Sequence, residues 1–407
     1  MESYPKLRAL DFQPVQYKGQ HMWFLRDPLH LSDIQLFVPT TLAPLFAFTD
    51  GTRTSKEIHT AFCQLAGANI PFEVVTEALD RLDEACLLDN ERARKVREMQ
   101  LVKYRSEPYR LPSIAGHGYP SQVDELAKLL ESYDAGDEVE HSSPWLGRGV
   151  ISPHIDYNRG GSVYAKVWKR AHAAIEAADL VIIFGTDHSG GSGTITLTHQ
   201  PYATPYGVFP TDRDLIEKLA EAIGEETAFA DELHHRDEHS IELSAVWLHH
   251  IIQRNGLANK PMIPILVGSF QHFLANGEHP IDDRRLNSFI EVLQRETIKR
   301  RILAVASVDL AHVGPHFGDG YKMDVQQKED IRHFDQLLMS AATEGNAASW
   351  YRQIAAIQDR NRICGFAPTY LLLRYLGATN GHEIAYDQCP ADPEGTSIVS
   401  ICGLLVN

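Results

Sequence analysis

The stretch RILAVASVDLAHVG, residues 301–314, decides the fold class of this chain. Its first half is an unbroken apolar run, which is typical of a strand that is buried on both faces. The run ends in two polar side chains, Asp309 and His312. Burying either of them without a partner would cost several kcal/mol, so they need each other, a metal ion or a substrate.

Other apolar runs predict further strands of the same kind: GVIS at 149–152, DLVIIFG at 179–185, PMIPILVG at 261–268 and SIVSICGLLV at 397–406. Stretches with helical periodicity, such as VDELAKLLESY and VYAKVWKRAHAAIEA, lie between them. This alternation predicts an α/β domain whose mainly parallel central sheet is flanked by helices. In such domains the ligand site lies beyond the carboxyl ends of the strands.

The N-terminal part of the chain predicts a separate, mostly helical unit with a few short strands. In DGTRTSKEI, residues 50–58, Thr54 or Ser55 can cap a helix that ends at Gly67. A second helix begins near Pro71 and is followed by LLDN, an order that suggests a winged-helix arrangement. We therefore divide the chain into a winged-helix-like unit at 1–95, a charged helical connector at 96–110 and the α/β domain at 111–407.

Composition limits the partners that we expect. Asp and Glu outnumber Lys and Arg by 54 to 38, and a net charge of −16 argues against nucleic acid or an anionic membrane as a partner. The sequence contains no apolar stretch of membrane-spanning length and no signal-peptide pattern at its start, so we expect a soluble cytoplasmic protein. Its five cysteines are scattered and predict neither a disulfide framework nor a zinc ribbon.

Polar side chains follow three of the predicted strands. They are His154, Asp156 and Tyr157 after the first, Asp187 and His188 after the second, and Asp309 and His312 after the third. A single histidine is more often a structural residue than a ligand. A purely structural role is harder to accept for three parallel strands that each end in histidine or carboxylate side chains, because their carboxyl ends share one edge of the sheet.

Two further segments can reach that edge. DEHSIE places His239 at a helix start with Glu242 on the same helical face, although the segment can also be explained as a capping box. ICGFAP places Cys364 just before a predicted helix, where a thiol tends toward the metal-binding thiolate. Mixed histidine and cysteine ligation suits iron, copper or zinc better than magnesium or calcium.

These segments, taken in order with SPHIDY, GTDHS, PILVG and SVDLAHVG, resemble the Memo family, called AmmeMemoRadiSam system protein B in bacteria and archaea. The resemblance spans about 111–407. It implies a fold similar to class III extradiol dioxygenases and a metal held by His154, His188 and Cys364. It also places Asp309 and His312 in the family's SxDxxH motif. Iron (Fe2+) is the metal that we expect, with copper or zinc as alternatives.

The resemblance also suggests partners, namely a radical SAM protein and an AMMECR1-like protein. The segments DGTRTSKEI and ALDRLDEACLLDN resemble PqqD-like domains, which bind peptides or partner enzymes, while a plain helical cap is the alternative. Asp156 and Asp187 depart from the usual Memo residues and add carboxylates near the predicted metal. We assign both to substrate binding, together with Tyr157, His239 and Glu242.

Three functions fit these observations. The first is a metal-dependent, dioxygenase-like oxidoreductase in which His312, oriented by Asp309, moves protons. The second is a metal- or peptide-binding protein without turnover. The third is a metal-assisted hydrolase with Glu242 or His312 as base.

Overall fold

A computed structural model describes residues 4–134 and 143–407. The chain divides into two compact units, Met1–Ser106 and Glu107–Asn407. The helix that begins at Glu91 belongs to the first unit, so the segment that we interpret as a connector is continuous with a helix of that unit. The boundary between the units falls at residue 106, within the segment predicted as a connector at 96–110.

The first unit begins with a small antiparallel sheet in the order β1-β2-β3 and continues with four helices. Thr54 and Glu57 form a capping box at the start of α2, and Gly67 ends that helix in the left-handed conformation, so both predictions are confirmed. The elements are β1 (Asp11–Tyr17), β2 (Gln20–Arg26), β3 (Leu36–Pro39), α1 (Pro44–Phe48), α2 (Ser55–Ala66), α3 (Phe72–Glu84) and α4 (Glu91–Ser106).

The second unit alternates strands and helices, as the sequence predicts. Its strands are β4 (Gly149–Ser152), β5 (Leu180–Thr186), β6 (Ile195–Leu197), β7 (Tyr202–Thr204), β8 (Gly207–Phe209), β9 (Met262–Val267), β10 (Ile302–Ser307), β11 (His312–Val313), β12 (Gly381–Pro390) and β13 (Ile398–Val406). Its helices are α5 (Val123–Ser132), α6 (Tyr157–Arg170), α7 (His172–Ala177), α8 (Arg213–Ile223), α9 (Glu225–Phe229), α10 (His234–Asp237), α11 (Ser240–Arg254), α12 (Gln271–Asn276), α13 (Arg284–Thr297), α14 (Val325–Thr343), α15 (Ala347–Ala356) and α16 (Phe366–Leu376), with short 3-10 turns at Pro280–Asp282 and Pro315–Phe317.

The main sheet has the order β11-β13-β4-β10-β5-β9-β6, with β12 paired to β13. β4, β10, β5 and β9 run parallel to one another, whereas β13 and β6 pair with them in the antiparallel sense. The prediction of a mainly parallel central sheet is therefore confirmed. The predicted strand at 397–406 exists, but it runs opposite to its neighbour β4.

Helices cover both faces of this sheet, as the burial of β5 shows. Every residue of β5 is buried, and alternate side chains enter different cores: Ile182 and Phe184 join one, Val181 and Ile183 the other. Each such side chain contributes about 1.5–3 kcal/mol when it leaves water. The continuous apolar runs of the sequence therefore follow from strands that are buried on both faces.

A buried carboxyl group in α14 predicts a pH-dependent stability. Asp335 is fully buried, accepts a hydrogen bond from the Tyr386 hydroxyl, and burial raises its pKa to about 7. The folded state then binds a proton that the unfolded state releases near pH 4, so stability falls as pH rises toward 7 and levels off above it. We expect the free energy of unfolding of the second unit to fall by about 1.4 kcal/mol between pH 6 and pH 8 because of this group.

Asp335→Asn should remove that loss, as measured by denaturant unfolding at both pH values. Asp330→Asn makes the same charge change at an exposed position of the same helix and should leave the loss in place. Equal pH dependence in wild type and Asp335→Asn would contradict the assignment.

Candidate metal centre

Three parallel strands deliver polar residues to one edge of the sheet. His154, His188 and Asp309 each lie two residues beyond the end of β4, β5 and β10 respectively. In the register of the sheet, Ser307 at the end of β10 pairs with Ser152 of β4 and with Gly185 of β5, so the strand ends are level. The predicted gathering of these residues at the carboxyl edge is present in the structure.

Three histidine rings form the centre of the site. The ring centroids of His154 and His188 are 5.0 Å apart, and His239 lies 5.6 Å and 5.1 Å from them. Each ring offers a nitrogen within 4.8 Å of the nitrogens of the other two. His239, which we assigned to substrate binding from the sequence, therefore lies among the potential metal ligands.

Hydrogen bonds fix the protonated nitrogen of two of these rings. His154 Nδ1 lies 2.9 Å from the Ser307 carbonyl oxygen, which can only accept, so Nδ1 carries the proton. His188 Nδ1 donates to the carboxylate of Glu238 at 3.0 Å. In both rings Nε2 is left with a free lone pair, the form in which neutral histidine binds a metal.

Glu238 contacts two of the three rings, and the sequence reasoning missed it. Besides His188, its carboxylate lies 3.3 Å from His239 Nδ1 and accepts the backbone N–H groups of His188 and Ser240. Burial acts to raise its pKa, but the neighbouring His188 and His239 outweigh burial and hold the pKa well below its usual range. Its position directly before His239 in DEHSIE was the available signal.

The pKa shifts of the rings agree with this arrangement. Desolvation, together with the neighbouring His188 and His239, holds the pKa of His154 well below its ordinary value. The pKa of His239 is also lowered, with desolvation as the main cause. Desolvation would lower the pKa of His188 too, but Glu238 raises it overall. A metal ion at His188 would therefore compete with a proton that Glu238 favours.

A second group of potential ligands shares His154 with the first. The Nε2 atom of His154 lies 3.4 Å from Cys364 Sγ and 3.6 Å from an Asp309 carboxylate oxygen. The other carboxylate oxygen of Asp309 accepts the backbone N–H groups of His154 and Ile155. The predicted ligand set His154, His188 and Cys364 thus takes members from both groups.

The protonation of Cys364 differs from our expectation. The residue does precede α16, as predicted, but burial and the nearby Asp309 raise the pKa of its thiol well above the usual value. Binding of a metal to the sulfur would therefore have to displace a proton.

His312 lies at the same site but is oriented differently than we predicted. Its Nδ1 is 3.1 Å from the Leu310 carbonyl oxygen and 3.2 Å from that of Arg362, so backbone acceptors and not Asp309 orient the ring. Burial lowers its pKa, although the charge of Asp309 acts in the opposite direction. His312 therefore presents a neutral Nε2.

A cavity of about 610 Å³ opens onto these groups. Among the residues predicted for substrate binding, His239 and Asp156 line it. Asp156 caps α6 by accepting the Arg159 N–H and also pairs with the Arg159 side chain. Asp187 contributes to a different cavity and is paired with His234 at 2.9 Å.

Besides Asp187, two predicted substrate-binding residues do not line this cavity. Tyr157 is fully buried, and its hydroxyl donates to the Leu243 carbonyl oxygen. Glu242 is fully buried in an ion pair with Arg110 and also accepts the Tyr119 hydroxyl. Both predictions are corrected here, since packing within the core occupies these side chains. Glu242 is for the same reason not available as the base of a hydrolytic reaction.

Comparison with known families agrees with the geometry. The family model described as Memo-like protein matches residues 110–404, which include every potential ligand named above. The chain belongs to the Memo family. The match begins four residues after the boundary between the two units, so it falls within the second unit.

Proteins named as MEMO1 family members align with much of the chain. A MEMO1 family protein of Aquifex aeolicus is 26% identical over 98% of this chain and 99% of its own length, and so aligns with both units. A second one from Aquifex aeolicus is 28% identical over 73% of this chain and 98% of its own, and one from Methanocaldococcus jannaschii is 26% identical over 68% and 91%. Within 4–134 and 143–407, no helix combines the length and apolarity needed to cross a bilayer.

Glu238→Gln should weaken metal binding by about 10–100-fold, because it removes the carboxylate that orients His188 and His239. The affinity can be measured by competition with a chromogenic chelator. Asp237→Asn makes the same charge change one residue away, where the carboxylate pairs with Arg236, and should have little effect. Equal affinities in the two variants would show that Glu238 does not position the rings.

Proposed function

We propose that this Memo-family chain binds a redox-active transition metal, non-heme iron, at the carboxyl edge of its sheet and acts as a metal-dependent oxidoreductase. The observation that supports this proposal is the shared orientation of His154 and His188. Each donates its Nδ1 proton to a protein acceptor and so keeps Nε2 available to a metal, and His154 Nε2 lies beside Cys364 Sγ. Copper is the alternative redox metal.

The donor atoms fit such an ion. Metal–nitrogen and metal–sulfur bonds of about 2.0–2.3 Å require ligand atoms that are roughly 3–4 Å apart. His154 Nε2 and Cys364 Sγ, 3.4 Å apart, have this separation, and the donor atoms of the three histidines lie within 4.8 Å of one another, an upper bound somewhat above it. Imidazole and thiolate together favour iron, copper or zinc over calcium or magnesium.

The bound iron would supply one-electron chemistry and a Lewis acid at the inner end of the cavity. The chain's own groups would supply the rest. His312 presents a neutral Nε2 to the cavity and can take a proton from a substrate hydroxyl. Asp309 holds the loop that carries His154 by accepting its backbone N–H.

The first experiment is a measurement of bound metal by mass spectrometry after purification without oxygen or added metal. We expect about one iron per chain, lost in a His188→Ala/Cys364→Ala double variant that remains folded by circular dichroism. Unchanged metal content in that variant would overturn the proposal. Tight iron binding without any consumption of oxygen or substrate would show that the chain is a metal-binding protein and not an enzyme.

A zinc hydrolase is the second candidate, and the inclusion of His239 favours it. Three histidines are a ligand set of catalytic zinc sites, and such a set needs neither Cys364 nor a redox metal. With Glu242 buried against Arg110, His312 is the remaining base. Stoichiometric zinc together with oxygen-independent esterase or amidase activity would establish this candidate over the first.

We propose further that the chain works beside a radical SAM protein and an AMMECR1-like protein, and that the first unit binds a peptide or one of these partners. The support is the resemblance of the two units to the Memo and PqqD-like families. Copurification of the full chain with each coexpressed partner tests this. Binding that persists without the first unit would contradict its proposed role.

A further inference from the structure

The potential ligands are divided between two cavities. Beside the first cavity lies a second one of about 380 Å³, and the two linings share His188, His312 and Phe317. His154 and His239 belong to the first lining alone, whereas Cys364 belongs to the second alone. The site is therefore open toward two different spaces.

The partition between the two cavities consists of side chains and is thin. The rings of His312 and Phe317 meet edge to face with centroids 5.2 Å apart. Cys364 Sγ lies 3.4 Å from His154 Nε2, so the thiol contacts the ring of the first cavity while it lines the second. A molecule in either cavity could thus reach the same group of ligands.

Within the part of the chain that the structure describes, the charged side chains that line the second cavity are already engaged. Its charged residues already have partners: Asp187 pairs with His234, Asp359 accepts the Gln271 amide and the Ile363 N–H, and Arg362 pairs with Asp319. Much of the remaining lining is apolar, namely Val267, Phe270, Ile363, Phe366 and Ala367. An anionic ligand would lose its hydration here without gaining a free cation, and a cationic one would meet an Asp359 carboxyl that already lies near the positive charge of Arg362.

We propose that the site is reached from two sides, and that the second cavity binds a small, neutral, largely apolar molecule at the Cys364 face. The first cavity, which holds the histidines and the Asp156–Arg159 pair, would take a larger polar substrate. The inference rests on the proposed function, because both cavities serve the same metal centre. The second cavity would then supply a co-reactant or release a small product.

The reactivity of Cys364 tests this route without requiring metal. The full-length, metal-free protein is treated with iodoacetamide: the thiol loses its proton to solvent, its sulfur forms a bond to carbon as iodide leaves, and modification of Cys364 is followed by peptide mass spectrometry. Ser269→Trp places a large side chain at an exposed position of the second cavity. Pro393→Trp is the matched control at an exposed position of the first.

We expect Ser269→Trp to slow the modification of Cys364 about tenfold or more and Pro393→Trp to change it less than about twofold, since thiol reactivity requires access. Ala367→Leu, which fills the second cavity from α16, should act like Ser269→Trp. Slowing by Pro393→Trp alone would show that Cys364 is reached through the first cavity and would overturn the inference.

The charge of the reagent tests the class of ligand. Iodoacetate differs from iodoacetamide by one negative charge, and each rate is divided by the rate with free N-acetylcysteine. We expect the neutral reagent to be favoured, and equal or reversed preference would overturn the neutral assignment. Metal content is measured on the same variants, so a failure of metal binding would be recognised separately from a failure of the second route.

Discussion

His154→Ala is expected to abolish metal binding, the largest effect of any single substitution at the site. His154 is the residue common to both groups of potential ligands. Its Nε2 faces Cys364 and Asp309, and its ring contacts His188 and His239. Removing it therefore leaves neither group with three donors. Metal content after anaerobic purification, together with chelator competition, measures the loss.

Two further variants decide which group holds the ion. If the three histidines are the ligands, His239→Ala should cost far more affinity than Cys364→Ser. The reverse order would support the set that the Memo resemblance implies, His154, His188 and Cys364. With a spectroscopically visible substitute such as Co2+, loss of the sulfur-to-metal charge-transfer band in Cys364→Ser would identify the thiolate directly.

His316→Ala is the matched control, because this histidine lines the same cavity but is exposed and bonded through its backbone N–H to Ser397. It should retain the metal. Full metal content in His154→Ala would contradict the centre itself, since no arrangement of the two groups omits that residue.

The gathering of polar residues at one edge of the sheet was predictable, because it follows from short stretches of local sequence. The apolar runs that end at Ser152, Thr186 and Ser307 predict strands, and parallel strands bring their carboxyl ends to one edge of the sheet. His154, His188 and Asp309 therefore came together as expected. The antiparallel pairing of β13 was not predictable in the same way, because a fully buried strand has the same apolar pattern in either direction.

The partners of the polar residues were harder to predict because they are distant in sequence. Helical spacing placed Glu242 beside His239, but Arg110, 132 residues away, binds it inside the core. The same helix start left Glu238 unnoticed, although it is the carboxylate that contacts the rings. Spacing along a helix predicts which residues share a face. It does not show which residues from distant parts of the sequence pack against that face.

Arg110→Met should destabilise the second unit by about 3–5 kcal/mol, because it leaves the Glu242 carboxylate buried without its cation. Both side chains are fully buried in this pair. Arg110 also donates to the carbonyl oxygens of His235 and Glu238, at 2.8 Å and 2.7 Å, and lies over the Tyr202 ring. Denaturant unfolding, followed by a probe of the second unit, measures the loss.

Lys218→Met is the control, since it removes a cation from the exposed Lys218–Glu296 pair and should cost less than about 1 kcal/mol. Glu242→Gln added to Arg110→Met should recover part of the stability, because the uncompensated charge is gone while the single amide oxygen can still accept one of the two hydrogen bonds, from the Ser113 N–H or from the Tyr119 hydroxyl. Because Arg110 also holds the backbone of Glu238, the double variant should regain stability without regaining full metal affinity. Recovery of both together would mean that Arg110 acts on the site only through the stability of the fold.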